Sequence, residues 1–143
     1  MGNTGLVYDP RYLGHDMGAG HPESPDRLGA IMRQLEQSGT AARLTRIAPR
    51  EAEDEWITQI HTASYLAMLK SHAPTNGRVS LDPDTSMSPG SLTAAYLAAG
   101  GALAAVDAIM SRETWRYQDR ARLAHSSGHD SSASQDMRLY GSA

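Results

Sequence analysis

The hydrophobic positions of this chain fall into short apolar runs separated by longer amphipathic stretches. Residues 5–8 form an apolar run that stops at an Asp-Pro pair, which predicts a buried strand followed by a turn. Residues 44–47 form a second run of this kind. The apolar residues between and after these runs recur at helical spacing. Strands that alternate with helices indicate a parallel, doubly wound α/β sheet.

The first predicted helix has clear signals at both ends. Ser24 is a good N-cap, Pro25 suits the first helical position, and Asp26 favours the positive end of the helix dipole. Gly39 is expected to end the helix. The residues of its predicted inward face are Leu28, Ile31, Met32 and Leu35.

Further helices are predicted over residues 51–60, 62–71 and 90–110. Residues 74–88 are rich in turn-forming residues, and residues 121–124 are a weaker strand candidate. Two adjacent glycines, Gly100 and Gly101, lie inside the longest helix, where each costs about 1 kcal/mol relative to alanine. We therefore expect another element to approach that helix closely. The predicted inward stripe of the longest helix is Leu92, Tyr96, Ala99, Leu103, Val106 and Met110.

The composition narrows the classes of function. The chain has 143 residues, a formal net charge of -3 and no cysteine. One domain is expected, and disulfides, thiolate nucleophiles and thiolate metal sites are excluded. No basic patch indicates nucleic acid, no apolar run approaches the roughly 20 residues of a membrane span, and the N-terminus lacks a signal-peptide pattern. We expect a cytoplasmic protein that binds neither nucleic acid nor a membrane.

Four motifs, in order along residues 4–110, carry a family resemblance. They lie at residues 7–9 with 15–16, residues 20–28, residues 61–66, and residues 82–85 leading to Ser91. Together they resemble the histone deacetylase and acetylpolyamine amidohydrolase family. The resemblance implies an α/β fold, here a truncated three-layer arginase/deacetylase-like parallel sheet flanked by helices. We expect a partial deacetylase-like domain over residues 1–112 and a divergent tail rich in Ser, His and Asp over residues 113–143.

The resemblance also implies roles for three residues. The arginine at the position of Arg27 lines an internal path by which the released acid leaves, and Asp84 stands where the family has a rim aspartate that holds the substrate backbone. His21 lies in the loop that borders the family's channel. From local structure alone, turn and cap formation are the alternative explanation of these residues. We expect Asp84, Arg27 and His21 to bind the substrate, a small acyl ester or an acetylated small molecule.

The catalytic chemistry of the family would begin near residue 128. There the family carries paired histidines that polarise and deprotonate a zinc-bound water. His129 matches the first of them, whereas Asp130 replaces the second. The family's zinc ligands would lie beyond Ala143, and a catalytic zinc needs three protein ligands. We therefore expect no metal site and no cofactor, unless another chain completes a zinc site.

Two functions stay open on these observations, and a zinc-dependent deacetylase in the full family sense comes third because its ligands are missing. Ser127, His129, Asp130 and Ser131 supply the residue types of nucleophilic acyl transfer, so a metal-free hydrolase of short acyl esters, or of acyl amides, is the first. The alternative is a non-catalytic fragment that acts as an oligomerisation or binding module. A partial sheet leaves an unpaired edge and an uncovered apolar helix face. We therefore expect a homo-oligomer.

Overall fold

The computed structural model describes the backbone of residues 4–126 and the side chains of residues 4–111. The chain divides into two compact units, residues 1–108 and 109–143. The elements in chain order are β1 (Gly5–Val7), α1 (Pro25–Gln37), β2 (Thr45–Ile47), α2 (Asp54–Ile57), α3 (Ala63–His72), β3 (Val79–Ser80), β4 (Ser86–Met87) and α4 (Ser91–Ser126), with short 3-10 turns at Pro10–Gly14 and Ala41–Arg43.

The first two strands form the expected parallel pair. Leu6 of β1 lies opposite Arg46 of β2, and α1 connects the two strands as a crossover. Within residues 4–126, no other strand pairs with β1. The alternation of strand, helix and strand predicted from the hydrophobic pattern is therefore present in the structure.

Helix α1 begins and ends as its sequence signals predict. The Ser24 hydroxyl accepts a hydrogen bond from the Asp26 amide at 3.2 Å, and Pro25 occupies the first turn. Gly39 follows the helix with a φ of +67°, a conformation that favours glycine. Of the predicted inward face, Met32 is buried and Ile31 is exposed. Fewer residues of α1 are therefore buried in the core than its apolar stripe predicted.

The buried face of α4 is made of small residues around Leu97, which is fully buried. A Cβ placed on Gly101 would lie 2.9 Å from Cγ1 of Val7, so the helix backbone approaches β1 closely. The amide of Ala52 donates to the carbonyl of Tyr96 at 3.0 Å on the same side. The close approach expected at the two glycines is therefore confirmed. The predicted stripe was wrong in register, since Val106 is more than half exposed.

Two further predictions differ from the structure. Residues 74–88, expected to be turns, contain a small antiparallel hairpin in which Val79 pairs with Met87. Residues 121–124, weighed as a strand, lie within α4. The strand prediction relied on only four residues.

One stretch of α4 is apolar over a greater length than we expected from the sequence. The segment Ser91–Ser111 is long and apolar enough to cross a membrane by length and composition. Its inner face packs against β1 and the segment before α2, as the contacts of Gly100 and Gly101 show. Core helices of folded domains pass the same test. Within the described residues 22% of this apolar window is buried, so the helix packs on one face only. The absence of membrane binding stays a prediction.

A polar cluster links α2, α3 and α4. Asp54 accepts hydrogen bonds from the Tyr96 hydroxyl at 2.7 Å and from the Lys70 ammonium at 2.5 Å. The bond from Lys70 and then the bond from Tyr96 hold the pKa of the Asp54 carboxyl below its usual value. The ammonium of Lys70 also lies 5.8 Å from the centre of the Tyr96 ring. This cluster fixes the two short helices against α4.

Candidate functional site

A polar groove of about 500 Å³ brings together the three residues predicted to bind substrate. The loop before α1 contributes His21, the first turn of α1 contributes Arg27, and the turn between β3 and β4 contributes Asp84. The remaining lining residues are His15, Met17, Pro22, Glu23 and Thr85. Residues more than 50 positions apart in the sequence therefore meet in one groove.

The ring of His21 is oriented by its own loop. The His21 amide donates to the carbonyl of Gly18 at 3.2 Å, and Nδ1 of the ring accepts from the Glu23 amide at 3.0 Å. In the neutral ring the proton therefore lies on Nε2. That atom is 3.7 Å from Oδ1 of Asp84. The contact is too long for a direct hydrogen bond and is electrostatic when the imidazole is protonated.

Asp84 presents an exposed carboxylate at the edge of this groove. Its amide donates to Oδ1 of Asp82 at 2.8 Å, and this bond, followed by one from Thr85, lowers the pKa of the Asp82 carboxyl. Asp82 thus shapes the turn, while the side chain of Asp84 is 98% exposed. An exposed acceptor on a fixed turn can bind an N–H group or a cation.

Arg27 lies on the groove wall, and its surroundings differ from the buried path that the family resemblance implied. We expected an internal path, yet the Arg27 side chain is 60% exposed. Its guanidinium pairs with the Glu23 carboxylate at 2.5 Å, one helical turn earlier. The described residues therefore place this charge at the surface of the groove, and its role toward a substrate stays a prediction.

An apolar groove of about 660 Å³ adjoins the polar one, and the two share the lining residues His15, Glu23 and Thr85. One wall is a face of α4 that runs from Ser91 through Ala98 to Ala105. Leu28, Tyr65, Leu69, Leu81 and Met87 are among the side chains of the other walls. A ligand with a polar part and a hydrocarbon part could thus occupy both grooves at once.

A buried hydroxyl network lies where the two grooves meet, and sequence reasoning missed it. Nδ1 of His15 is 2.7 Å from Oγ of Ser91, and Oγ of Ser91 is 3.0 Å from Oγ of Ser88. Both serines are buried, at 6% and 7% exposure. Close backbone contact of Gly14 with Gly90 brings the loop of His15 to the start of α4. His15 and Ser91 are 76 residues apart, and no local pattern signals their contact.

The predicted catalytic residues Ser127, His129, Asp130 and Ser131 lie outside the described residues. Among the residues that the structure does describe, no group of three or more His, Asp or Glu side chains could hold a metal ion. The described part of the chain therefore does not offer the three-ligand donor set of a catalytic zinc.

Comparison with protein families gives a match to the histone deacetylase domain over residues 21–137. This match continues past residue 110, where we expected the resemblance to end. A probable deacetylase of Archaeoglobus fulgidus is 34% identical over 112 residues, which cover 77% of this chain and 31% of that protein. A histone deacetylase-like amidohydrolase of Pseudomonas aeruginosa is 39% identical over 95 residues, which cover 66% of this chain and 25% of that protein.

Among solved structures, the chain is similar to the crystal structure of the HDA15 HD domain. The TM-score is 0.64 at 30% identity, and the alignment covers 71% of this chain and 30% of that one. The predicted α/β fold of the arginase/deacetylase type is thereby confirmed. The chain spans about a third or less of the length of these similar proteins.

Proposed function

Since this chain belongs to the histone deacetylase family, we propose that it carries the substrate-binding part of an acyl hydrolase. Membership of this family supports hydrolysis of acyl amides. The observation that carries the proposal is the meeting of His21, Arg27 and Asp84 in one polar groove beside an apolar one. The proposed substrates are small molecules that bear a short acyl group.

The two grooves suit the two parts of such a substrate. The hydrocarbon end of the acyl group would lie along α4, where burial of each CH₂ group contributes about 0.8 kcal/mol. The polar end would face Asp84, whose carboxylate can accept a hydrogen bond from the N–H group of an acyl amide. An ester lacks this N–H group, so its binding relies on the apolar groove alone.

We propose that this chain cleaves short acyl esters and that this cleavage does not need zinc. Activated esters have good leaving groups and need less electrostatic help than amides. The deacetylase family normally uses zinc, but the described residues supply no zinc ligand set. Ser127, His129, Asp130 and Ser131 remain the proposed catalytic residues, with a serine as nucleophile and His129 as its base. Zinc would take part in this hydrolysis only if another chain completed a zinc site.

The test is hydrolysis of p-nitrophenyl acetate and of an acetyl-lysine peptide, each with and without a strong chelator. The proposal predicts ester cleavage that survives the chelator and is lost in His129→Ala. His72→Ala is the matched control, because His72 is exposed at the end of α3 and lines neither groove. Activity that disappears with the chelator on both substrates would instead assign the chemistry to a metal. No turnover of either substrate would refute the proposal.

A second candidate function is an oligomerisation or binding module, and the free edge of β1 favours it. Within residues 4–126 this strand is paired on one side only. Large apolar side chains of the described region are also exposed, namely Leu13, Ile31, Trp56, Ile60, Tyr65, Val106, Ile109 and Met110. Unpaired edges and apolar surface promote association. Sedimentation at micromolar concentration tests the expected homo-oligomer, and a monomer would contradict it.

A further inference from the structure

The hydrogen bonds around Ser88 determine where each proton of the buried network lies. The Ser88 hydroxyl has one proton and donates it to the carbonyl of Gly14 at 2.7 Å. Its oxygen accepts from the amide of Asp16 at 3.0 Å. In the 3.0 Å contact between the two hydroxyls, Ser91 must therefore be the donor.

The protons of Ser91 and His15 follow from this assignment. Ser91 gives its only proton to Ser88 and accepts from the Ser88 amide at 2.8 Å. It has none left for the imidazole, so in the 2.7 Å contact Nδ1 of His15 is the donor. The neutral ring is then the Nδ1–H tautomer, and Nε2 carries the lone pair. Ser91 has no proton or lone pair to spare, which makes it a poor nucleophile.

The lone pair of His15 is available to a ligand. No hydrogen-bond partner of Nε2 occurs among residues 4–111, and the His15 side chain lines both grooves. An imidazole with one nitrogen held by a buried acceptor and the other nitrogen open has the arrangement of a general base. His15 is the base, Ser91 is the hydroxyl that orients it, and Ser88 is the second hydroxyl. The backbone contact between Gly14 and Gly90 holds these three side chains together.

We propose that His15 is a general base for hydrolysis of acyl esters bound in the apolar groove, and that Ser91 and Ser88 are its positioning residues. Nε2 takes a proton from a water molecule, and the water oxygen forms a bond to the acyl carbonyl carbon. The bond from that carbon to the alcohol oxygen then breaks, and the imidazolium returns its proton to the departing oxygen. The products are the carboxylic acid and the alcohol, and neither metal nor cofactor takes part.

This inference rests on the proposed acyl hydrolase function but names a different base. The proposal for the tail requires a serine nucleophile with His129, whereas His15 activates water directly. The serine mechanism forms a covalent acyl-enzyme intermediate, whereas the His15 mechanism does not. A serine-directed fluorophosphonate labels an activated serine and leaves a general-base enzyme unlabelled.

The experiment uses the full chain, with His15→Gln and the matched control His72→Gln. With p-nitrophenyl acetate and chelator present, the inference predicts that His15→Gln lowers kcat at least about 100-fold. His72→Gln should retain wild-type kcat, and fluorophosphonate should leave the wild type unlabelled. Equal kcat in His15→Gln and wild type would overturn the inference and leave the acyl hydrolase standing. A wild type without turnover would overturn both.

A second measurement tests the network without relying on turnover. Imidazole ¹⁵N shifts of His15 should report the Nδ1–H tautomer in the wild type and a mixture of tautomers in Ser91→Ala. Ser91→Thr keeps the hydroxyl and should restore the wild-type spectrum and kcat. An Nε2–H tautomer in the folded wild type would overturn the assignment.

Discussion

The backbone of α4 at Gly100 lies directly against the carbonyl oxygen of Arg50. A Cβ at position 100 would overlap that oxygen and would lie 2.7 Å from the amide nitrogen of Ala52. Both are backbone atoms, which cannot move aside as a flexible side chain does. The contact fixes how closely α4 approaches the segment before α2.

We predict that Gly100→Ala destabilises the fold by about 1–3 kcal/mol, because overpacking at a backbone contact forces the elements apart. Gly29→Ala is the matched control within α1. Its new Cβ would meet only the mobile guanidinium of Arg33, at 3.3 Å. The control should be neutral or stabilising by up to about 1 kcal/mol, since alanine favours helix. Urea denaturation measures both, and equal effects of the two changes would contradict the close approach.

Gly90→Ala tests the geometry of the His15 loop. A Cβ on Gly90 would lie 2.6 Å from the Cα and the carbonyl oxygen of Gly14. The loop that carries His15 would have to move away from the start of α4. We expect the His15 ¹⁵N shifts to change and ester hydrolysis to fall at least about tenfold, because misplacement of a reacting group by about 1 Å can cost 100-fold in rate. Unchanged shifts in Gly90→Ala would show that the loop is positioned by other contacts.

Acid stability should depend on Asp54. Hydrogen bonds from Lys70 and Tyr96 lower its pKa from 3.8, so its contribution is fully present above that pH. The contribution is lost as pH falls through the lower pKa of the folded state. The difference in stability between wild type and Asp54→Asn should therefore shrink as pH decreases from about 6 to below 3.8. Glu36→Gln, an exposed charge change in α1, is the control, and a pH-independent difference for Asp54→Asn would contradict this assignment.

Asp84 should matter more for acyl amides than for esters. Asp84→Ala removes the acceptor proposed for the amide N–H, so the Kd of an N-acetyl-lysine amide should rise about fivefold. KM for p-nitrophenyl acetate should be unchanged, because the ester has no such donor. Asp26→Ala is the control, since this exposed aspartate lines neither groove. An equal rise in the Kd of the amide and the KM of the ester would show that Asp84 acts on groove structure instead.

Local signals in the sequence predicted the bounds of the helices better than they predicted which side of each helix is buried. The cap at Ser24 and the glycine at position 39 determine the ends of α1, so its bounds were close to correct. The inward face of α4 was wrong because large apolar residues dominated the periodicity. The real contact is made by Gly100 and Gly101, which periodicity does not weigh. The hairpin was missed because its two-residue strands are too short to show alternation.

The site was predictable only where a resemblance named its residues. His21, Arg27 and Asp84 were proposed from motifs, and the structure brings all three to one groove. The contact of His15 with Ser91 depends on the tertiary approach of Gly14 to Gly90, which no local pattern encodes. For the same reason, the exposure of Arg27 could not be deduced from its position in a motif.

The most direct test of the account is a titration of the ¹⁵N-labelled protein with an N-acetyl-lysine amide, followed by NMR. The account predicts saturable shifts of the amides that line the two grooves, centred on His21, Thr85 and Asp84, with smaller shifts in Asp84→Ala at equal ligand concentration. Saturable shifts confined to residues remote from both grooves, or no shifts at millimolar ligand, would contradict the claim that these grooves bind an acylated substrate.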